Sequence, residues 1–418
     1  MLRKVDPYRL LVFGIFVLLT AVLEIRYRTF VAQDYQYMGF EPVFFRFKFF
    51  EAKLVLLAIL TFSLVEGNSK AYLLLSTLTF FYFIPNTIYY AYSNLSQLFL
   101  YSLLLIVVAI HFIFRIRLKP VSTRISGFSK NIIQLIFLIM LFLLLVNVLR
   151  DYGKNISLKA LYFNEFIYQL REESSTGNVL SQYTFGFLFK FAVPIMILVF
   201  IERKRVLLAF GFFVLEIFGF LMTGNRSVFF TVFVILFFFF GHRTEKKIFN
   251  FLASYAALLL FAVGANEILH AATLESILLR RTMFVPARMN ECYFEFFKGS
   301  PVFLSHSVLS PFIPYPYDLP PANLISSLYF HAPEGSANNG LLADGYMNFG
   351  MIGIILYIFA FAGIMRISTS LLKSPIYDGV IFVMTFTFLS SALFTCLLTH
   401  GVLLLLLFAA LFRDKIQT

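Results

Sequence analysis

The sequence contains no tryptophan and only two cysteines, Cys292 and Cys396, among its 418 residues. Two cysteines exclude a disulfide framework, and no Cys/His cluster has the spacing of metal ligands. A phosphate-binding loop and a dinucleotide fingerprint are also missing, which argues against nucleotide chemistry. We therefore expect no metal site and no organic cofactor.

Charged residues are scarce as well. They make up 13% of the chain, against about 25% in a typical soluble domain. Hydrophobic residues make up 60%, and the mean hydropathy is +0.84. Several stretches approach the ~20 apolar residues that span a bilayer. This composition predicts an all-α, polytopic integral membrane protein that forms a single membrane domain over residues 1–418.

The apolar stretches predict about twelve membrane-spanning helices. They cover residues 8–23, 49–65, 71–93, 97–114, 132–149, 184–201, 206–222, 227–241, 248–265, 346–365, 376–392 and 394–412. The first is interpreted as an uncleaved span, because no small-residue cleavage site follows it. The last two are nearly continuous, so eleven or thirteen spans are alternatives.

The formal net charge is 34 − 22 = +12, and much of the excess lies at the chain ends and in short connections. These basic residues are Arg3, Lys4, Arg9, Lys70, Arg115, Arg117, Lys119, Arg124, Lys130, Arg203, Lys204, Arg205, Arg243, Lys246, Lys247, Arg366, Lys373, Arg413 and Lys415. The positive-inside rule makes them, and both termini, cytoplasmic, so the charge indicates orientation rather than nucleic-acid binding. Three long loops, at about 24–48, 150–183 and 266–345, then lie on the opposite face.

The largest loop begins with an aromatic, arginine-containing segment. Arg281, Arg288 and Glu295 recur every seven residues and would share one face of a helix. Pro286 would kink that helix or start a new one. Two interpretations stay open: an interfacial helix whose arginines touch lipid headgroups, or a pair of arginines that hold a phosphate or pyrophosphate bidentately.

Two further cationic residues, Arg226 and Lys190, each have a structural and a functional interpretation. Arg226 follows a tight turn at the mouth of a span, where it either snorkels as a helix cap or binds the same anion as Arg288. Lys190 lies within the sixth predicted span. An ionisable residue there is a functional hypothesis, but snorkelling towards the outer face is the favoured explanation.

The end of the large loop is its most polar part. Residues 310–321 are too rich in proline to form regular helix, and their tyrosines, Tyr315 and Tyr317, either stack on sugars or pack the loop. A general base is expected among His331, Glu334 and Asp344. Asp344 ranks last, because a position at the start of a span suits a helix N-cap.

Three short segments and the distribution of spans carry a family resemblance. Ala337–Gly340 and Ala343–Gly353 lead into the tenth span, Thr223–Ser227 forms an arginine turn, and Arg288 with Gly299 makes an R-x10-G pattern. Together with one dominant late loop, they resemble the oligosaccharide repeat-unit polymerases of bacterial O-antigen synthesis (Wzy-type). The resemblance implies a GT-C-like glycosyltransferase architecture of about twelve helices, with a large periplasmic loop, in the bacterial inner (cytoplasmic) membrane.

The resemblance also implies the reaction. A glycan on undecaprenyl pyrophosphate would be the donor, a lipid-linked repeat unit the acceptor, and undecaprenyl pyrophosphate the leaving group. Developing charge on that group needs cationic stabilisation, which arginines can supply without a metal. The expected substrate-binding residues are Arg226, Arg281, Arg288, Asn338, Asn339 and Tyr346. A chain-length regulator protein is an expected partner.

Two alternatives belong to other classes. The related O-antigen ligases place a histidine before a comparable segment, whereas Asn338 and Asn339 stand here and His331 comes seven residues before Asn338. A lipid-linked oligosaccharide flippase would line a cavity between its helices with charge and show two related halves. No such halves are evident in the sequence, which favours the polymerase.

Overall fold

The computed structural model describes residues 6–118, 127–161, 170 and 178–412. Within these ranges the chain is helical and contains no β-strand, as its composition predicts. Several residues used to predict orientation lie outside the described ranges, namely Arg3, Lys4, Lys119, Arg124, Arg413 and Lys415. Residues 162–169 and 171–177 of the predicted loop 150–183 also lie outside them.

The helices follow one another with short connections. In chain order the α-helices are Pro7–Arg26, Ala32–Asp34, Arg46–Val65, Ser69–Leu78, Ile84–Tyr90, Gln97–Arg115, Gly127–Tyr152, Val179–Phe187, Val193–Glu202, Val206–Thr223, Arg226–Phe239, Thr244–Leu269, Ala272–Glu275, Val285–Phe296, Pro321–Phe330, Leu341–Leu371, Asp378–Ser390, Leu393–Leu397 and Val402–Leu411. Wider π-helical turns are Tyr27–Val31, Thr79–Phe83, Leu188–Ala192 and Ser276–Phe284, and 3₁₀ turns are Gln36–Met38, Gly153–Asn155, Leu158–Leu161 and Pro375–Tyr377.

A helix lies at each of the twelve predicted positions. In the described part of the chain, nine helical stretches are long and apolar enough to cross a membrane. They are Pro7–Asp34, Ser69–Tyr90, Gln97–Arg115, Asn131–Asn155, Leu180–Glu202, Val206–Thr223, Thr244–Leu269, Leu341–Leu371 and Leu393–Leu411. Arg226–Phe239 and Pro375–Ser390 are apolar but shorter, and Arg46–Val65 begins with several charged residues. The chain is therefore a multi-pass membrane protein, while a total of twelve spans stays a prediction.

The chain forms two compact units. Unit 1 comprises Met1–Ile116, Arg243–Arg366 and Thr385–Leu393, and unit 2 comprises Arg117–His242, Ile367–Met384 and Phe394–Thr418. The described part of the long connection between Thr244–Leu269 and Leu341–Leu371 lies entirely in unit 1. Unit 1 therefore contains most of the residues that the sequence suggests for function.

A buried ion pair ties the first helix of unit 1 to the start of the long connection. Arg26 donates from Nε to Glu275 Oε1 at 2.6 Å and from Nη2 to Oε2 at 2.8 Å. The Glu275 side chain is fully buried, and it also accepts from Asn266 Nδ2 at 2.8 Å. Removing one partner of such a pair leaves a buried charge uncompensated and typically costs about 3–5 kcal/mol.

The helix Leu341–Leu371 is broken by a kink after two turns. Phe349 and Gly350 leave helical geometry, and Gly350 has φ +60° and ψ −142°, a conformation that glycine tolerates best. Across the kink, the backbones of Gly345 and Gly353 approach closely. A Cβ on Gly345 would lie 2.8 Å from the Gly353 carbonyl oxygen. The absence of side chains at Gly345 and Gly353 therefore permits this close approach.

We predict that Gly353→Ala destabilises unit 1, because its methyl group would overlap the Gly345 carbonyl oxygen. Overpacking of this kind costs about 1–3 kcal/mol. Gly363→Ala is the matched control, since nothing lies within 4 Å of its added Cβ in the same helix. Thermal unfolding of the purified protein measures both variants. Equal melting temperatures would show that the contact between the two glycines is absent.

Candidate functional site

The centre of the candidate site is the helix Val285–Phe296, which we call the loop helix. It begins directly after the π-helical turn Ser276–Phe284, and Pro286 stands in its first turn. Proline is suited to this position, because the first N–H groups of a helix have no partner within it. The prediction that Pro286 could start a new helix is therefore confirmed.

One side of the loop helix forms a hydrophobic core with the later loop segments. Met289, Cys292 and Tyr293 pack there with buried residues that include Ala337 and Met347. Tyr293 Oη donates to the Ala337 carbonyl at 2.9 Å. Burial raises the pKa of the Cys292 thiol to about 12, so this cysteine is a neutral core residue and not a nucleophile.

A stacked aromatic pair joins the loop helix to Leu341–Leu371. The rings of Phe294 and Tyr346 are nearly parallel, with centroids 4.1 Å apart and an interplanar angle of 4°. Tyr346, predicted to bind substrate, therefore has a packing role as well. Together with the Tyr293 hydrogen bond, this pair brings two segments of the family resemblance, around Arg288 and around Ala337–Gly353, into direct contact.

Arg288 lies between the loop helix and the turn Gln36–Met38. Its Nε donates to the Met38 carbonyl at 3.3 Å, its Nη1 bonds Glu291, and its guanidinium lies 5.8 Å from the centroid of the Tyr329 ring. Two of its five N–H groups are used in these bonds. The side chain is 13% exposed. Arg288 is thus held in place while part of its fork is left to bind an anion.

Glu291 is the counter-ion of Arg288 and is itself well anchored. Its carboxylate accepts from the hydroxyl of Tyr89, from the backbone N–H of Asn94 at 2.8 Å, and from Arg288. These bonds fix the carboxylate, and through it the orientation of the Arg288 fork. Neither Tyr89 nor Glu291 was singled out by sequence, because their contact spans 202 residues.

The prediction that Arg281 and Arg288 share one face of a regular helix is wrong. Arg281 lies in the π-helical turn and is exposed, whereas Arg288 lies in α-helix and is largely buried. The neighbouring Arg280 takes the place next to Arg288. It lies 4.1 Å from the centroid of the Tyr35 ring and donates to Met38 Sδ at 3.0 Å. The wider π turn disrupts the seven-residue spacing on which the sequence prediction relied.

Asp344 is buried within its helix and does not cap it. Its own N–H bonds the Gly340 carbonyl at 2.9 Å, so the helix has already begun, and the predicted N-cap role is wrong. The side chain, 2% exposed, accepts from the N–H of Leu393 at 2.7 Å, from Asn348 Nδ2 at 3.0 Å and from Asn339 Nδ2 at 3.4 Å. Asp344 thus joins the helix start to residues 385–393, which are distant in sequence.

Asn348 satisfies the backbone at the kink. Its Oδ1 accepts from the N–H of Leu304 at 2.8 Å, while its carbonyl and that of Met347 accept from Phe303 and Val302 at 3.1 and 3.0 Å. The carbonyls released by the kink are thereby paired with the loop. Asn348 was not singled out by sequence, although it lies within the resemblance segment.

The remaining base candidates lie at the surface. His331 and Glu334 are exposed, as is Asn338, whereas Asn339 is buried. They follow the helix Pro321–Phe330, and residues 331–337 fold back along it. The Ala337 N–H bonds the Ala322 carbonyl at 3.0 Å. His331 follows the Arg288 neighbour Tyr329 by two residues.

Residues 310–320 contain no helix, as predicted, whereas Pro321, the last residue of the predicted stretch, begins the helix Pro321–Phe330. Tyr315 and Tyr317 pack on each other and on the loop-helix core, with ring centroids 5.5 Å apart. Burial raises the pKa of Tyr315 to about 12 and lowers the pKa of the neighbouring His306. His306 is therefore a neutral imidazole at pH 7.

Two predicted residues belong to unit 2. Arg226 begins the helix Arg226–Phe239, after a tight turn in which the Asn225 side chain accepts from the Ser227 N–H at 3.1 Å. Lys190 does not snorkel, so the favoured explanation for it is wrong. It is only 8% exposed, and its Nζ lies 2.8 Å from His400 Nδ1.

Comparison with known proteins finds no match among protein families, curated proteins or solved structures. The residue clusters above are therefore interpreted from their own chemistry. Among the residues that the structure describes, no three His, Cys, Asp or Glu side chains are grouped to hold a metal ion.

We predict that Asp344→Ala destabilises unit 1, because the N–H of Leu393 and the amide of Asn348 lose a buried acceptor. Each unsatisfied group costs about 1–3 kcal/mol. The exposed candidates provide the comparison, since His331→Ala and Glu334→Gln should change stability by less than about 0.5 kcal/mol. Thermal unfolding of the three variants measures this. An unchanged melting temperature for Asp344→Ala would contradict the network.

Proposed function

We propose that this chain polymerises lipid-linked oligosaccharide repeat units. The donor would be a glycan on undecaprenyl pyrophosphate and the acceptor a single lipid-linked unit. The acceptor hydroxyl attacks the anomeric carbon of the donor, and undecaprenyl pyrophosphate leaves. The proposed location is the bacterial inner membrane, with both termini cytoplasmic, about twelve spans, a GT-C-like arrangement and the long connection on the periplasmic face.

The proposal is carried by one observation. The R-x10-G segment around Arg288 and the segment around Ala337–Gly353 are separated in sequence but share one core, through Tyr293 and the stacked Phe294–Tyr346 pair. These are two of the segments that resemble the polymerase family. Their contact supports a common site, because residues that act on one substrate must lie close together in the fold.

The charges suit the chemistry. A pyrophosphate leaving group needs fixed cations that stabilise it as charge develops, and a planar guanidinium can do so bidentately. Arg288, oriented by Glu291, is the proposed main contact, with Arg280 beside it and Arg281 as a further candidate. Arg226 belongs to unit 2 and stays a separate substrate-binding candidate. Glu334 and His331, both exposed, are proposed as the general base that accepts the proton of the acceptor hydroxyl.

A second candidate function is favoured by one observation in unit 2. Lys190 is buried near the middle of the apolar stretch Leu180–Glu202, and charge among the helices is typical of a flippase. The buried lysine alone does not require transport, since an enzyme acting on two lipid-linked substrates also needs cations near the membrane. The two functions therefore need a direct test.

We expect purified protein, incubated with synthetic undecaprenyl-pyrophosphate-linked repeat units in liposomes, to lengthen the glycans. Gel separation of labelled glycans measures their length. Movement of the substrate between leaflets without lengthening would indicate a flippase. Transfer of the glycan to an added lipid A core acceptor, again without lengthening, would indicate a ligase.

We predict that Arg288→Lys lowers turnover by about 10²–10³-fold, the usual effect of losing one contact to developing charge. The ammonium keeps a positive charge beside Glu291, so the fold is retained, but it cannot reproduce the planar fork. Glycan lengthening per minute measures the effect. Arg46→Ala is the control, because Arg46 is an exposed arginine of the same unit with no proposed role. Normal turnover in Arg288→Lys would remove Arg288 from the site.

A further inference from the structure

Lys190 occupies an exceptional place in unit 2. It lies near the middle of the 23-residue apolar stretch Leu180–Glu202, within the π-helical turn Leu188–Ala192. π-Helical turns inside α-helices are frequent at functional sites. A lysine that is only 8% exposed in such a stretch must find a polar partner, because an isolated ammonium is costly away from water.

The partner found is a histidine and not an acid. Lys190 Nζ lies 2.8 Å from His400 Nδ1, so the ammonium donates to a neutral imidazole. A neutral ring satisfies one donor but brings no negative charge. Among the residues that the structure describes, no carboxylate forms an ion pair with Lys190. Lys190 is therefore a buried cationic side chain without a carboxylate counter-ion in the part of the chain that the structure describes.

The helix beside Lys190 is broken at the same place. Leu393–Leu397 ends before His400, and Val402–Leu411 begins after Gly401, whose φ is +77°. A Cβ at Gly401 would overlap Phe187, and one at Gly186 would overlap the Thr399 carbonyl. The helix break at Gly401 is therefore packed tightly against Gly186 and Phe187, just before the π-helical turn that contains Lys190. The helix Val402–Leu411 begins at this break. Its first N–H groups have no partner within the helix and carry partial positive charge.

We propose that Lys190 and His400, at the N-terminal end of Val402–Leu411, bind the phosphate or diphosphate group of a lipid. On binding, the ammonium exchanges the imidazole nitrogen for an anionic oxygen and gains the counter-charge it lacks. Lys190 lies within the apolar stretch Leu180–Glu202, and His400 within Leu393–Leu411. We therefore expect the bound anion to carry an apolar chain. The choice of an isoprenoid diphosphate among such lipids rests on the proposed function, which requires two lipid-linked substrates and hence a diphosphate site besides Arg288.

The test is calorimetric titration of the detergent-solubilised full chain with farnesyl diphosphate, with farnesol as the uncharged control. We expect two sites in the wild type. Lys190→Met should weaken one of them about 10- to 100-fold, as expected for losing charge-assisted hydrogen bonds. Lys154→Met, which removes an exposed lysine of the same unit, should keep both. Arg288→Lys should affect only the other site.

If Lys190 served only to stabilise the fold, Lys190→Met would lower the melting temperature of the protein without ligand. The proposal predicts that this melting temperature stays level or rises, because the substitution removes an uncompensated buried charge. If Lys190→Met fails to fold, His400→Phe is titrated in its place. This variant keeps an aromatic ring at the position but removes the imidazole nitrogens, so it should weaken binding at the same site. Unchanged binding in the folded variant overturns the proposal. Equal affinity for inorganic pyrophosphate or for phosphatidylglycerol overturns the assignment to an isoprenoid diphosphate.

The two proposals fail separately. If no glycan lengthening occurs but one farnesyl diphosphate site depends on Lys190, the polymerase proposal is wrong and the lipid-phosphate site stands. If lengthening occurs and Lys190→Met changes neither the rate nor the titration, the site is wrong and the polymerase stands.

Discussion

The structure depends on one constraint: a backbone surrounded by lipid must pair its N–H and C=O groups within the protein. Continuous helices meet it without help, which explains why the described chain is helical. Where a helix is interrupted, other parts of the chain must pair the backbone groups that the interruption releases. At the Phe349–Gly350 kink, the released carbonyls of Met347 and Asn348 accept from the N–H groups of Val302 and Phe303. The same bonds that satisfy the kink therefore order the long connection.

The candidate site of unit 1 follows from that arrangement. Because the connection is tied to the helix start, the loop helix lies against Ala337 and Tyr346, and Arg288 is presented at its edge. Buried polar side chains provide the fixed frame: Asp344 and Asn348 hold the helix start, while Glu291 orients Arg288. The exposed Glu334 and His331 lie beyond this frame, where a substrate hydroxyl could reach them.

The interruption in unit 2 has a different character. Around Gly401 the broken helix is packed tightly against the turn before Lys190, and the polar groups brought together there are cationic or neutral. In unit 1, by contrast, the buried Arg26 and Arg288 each have a carboxylate partner. The charge of a buried cation that has a carboxylate partner is compensated within the fold, whereas a cation without such a partner can gain compensation from an anionic ligand. Lys190 differs in this respect from Arg26 and Arg288.

The sequence by itself determined the class and the helix positions, because hydrophobic runs depend only on composition along the chain. It also predicted a kink or a helix start at Pro286, and no regular helix at residues 310–321, which holds for all of them but Pro321, since proline acts locally. Tertiary structure decided the partners. The π turn changed the relation of Arg281 to Arg288, Asp344 moved from a cap to a buried acceptor, and Lys190 met His400 rather than water. The last two depend on partners that lie 49 and 210 positions away in sequence. Local patterns do not encode such contacts, because they arise only when the helices pack.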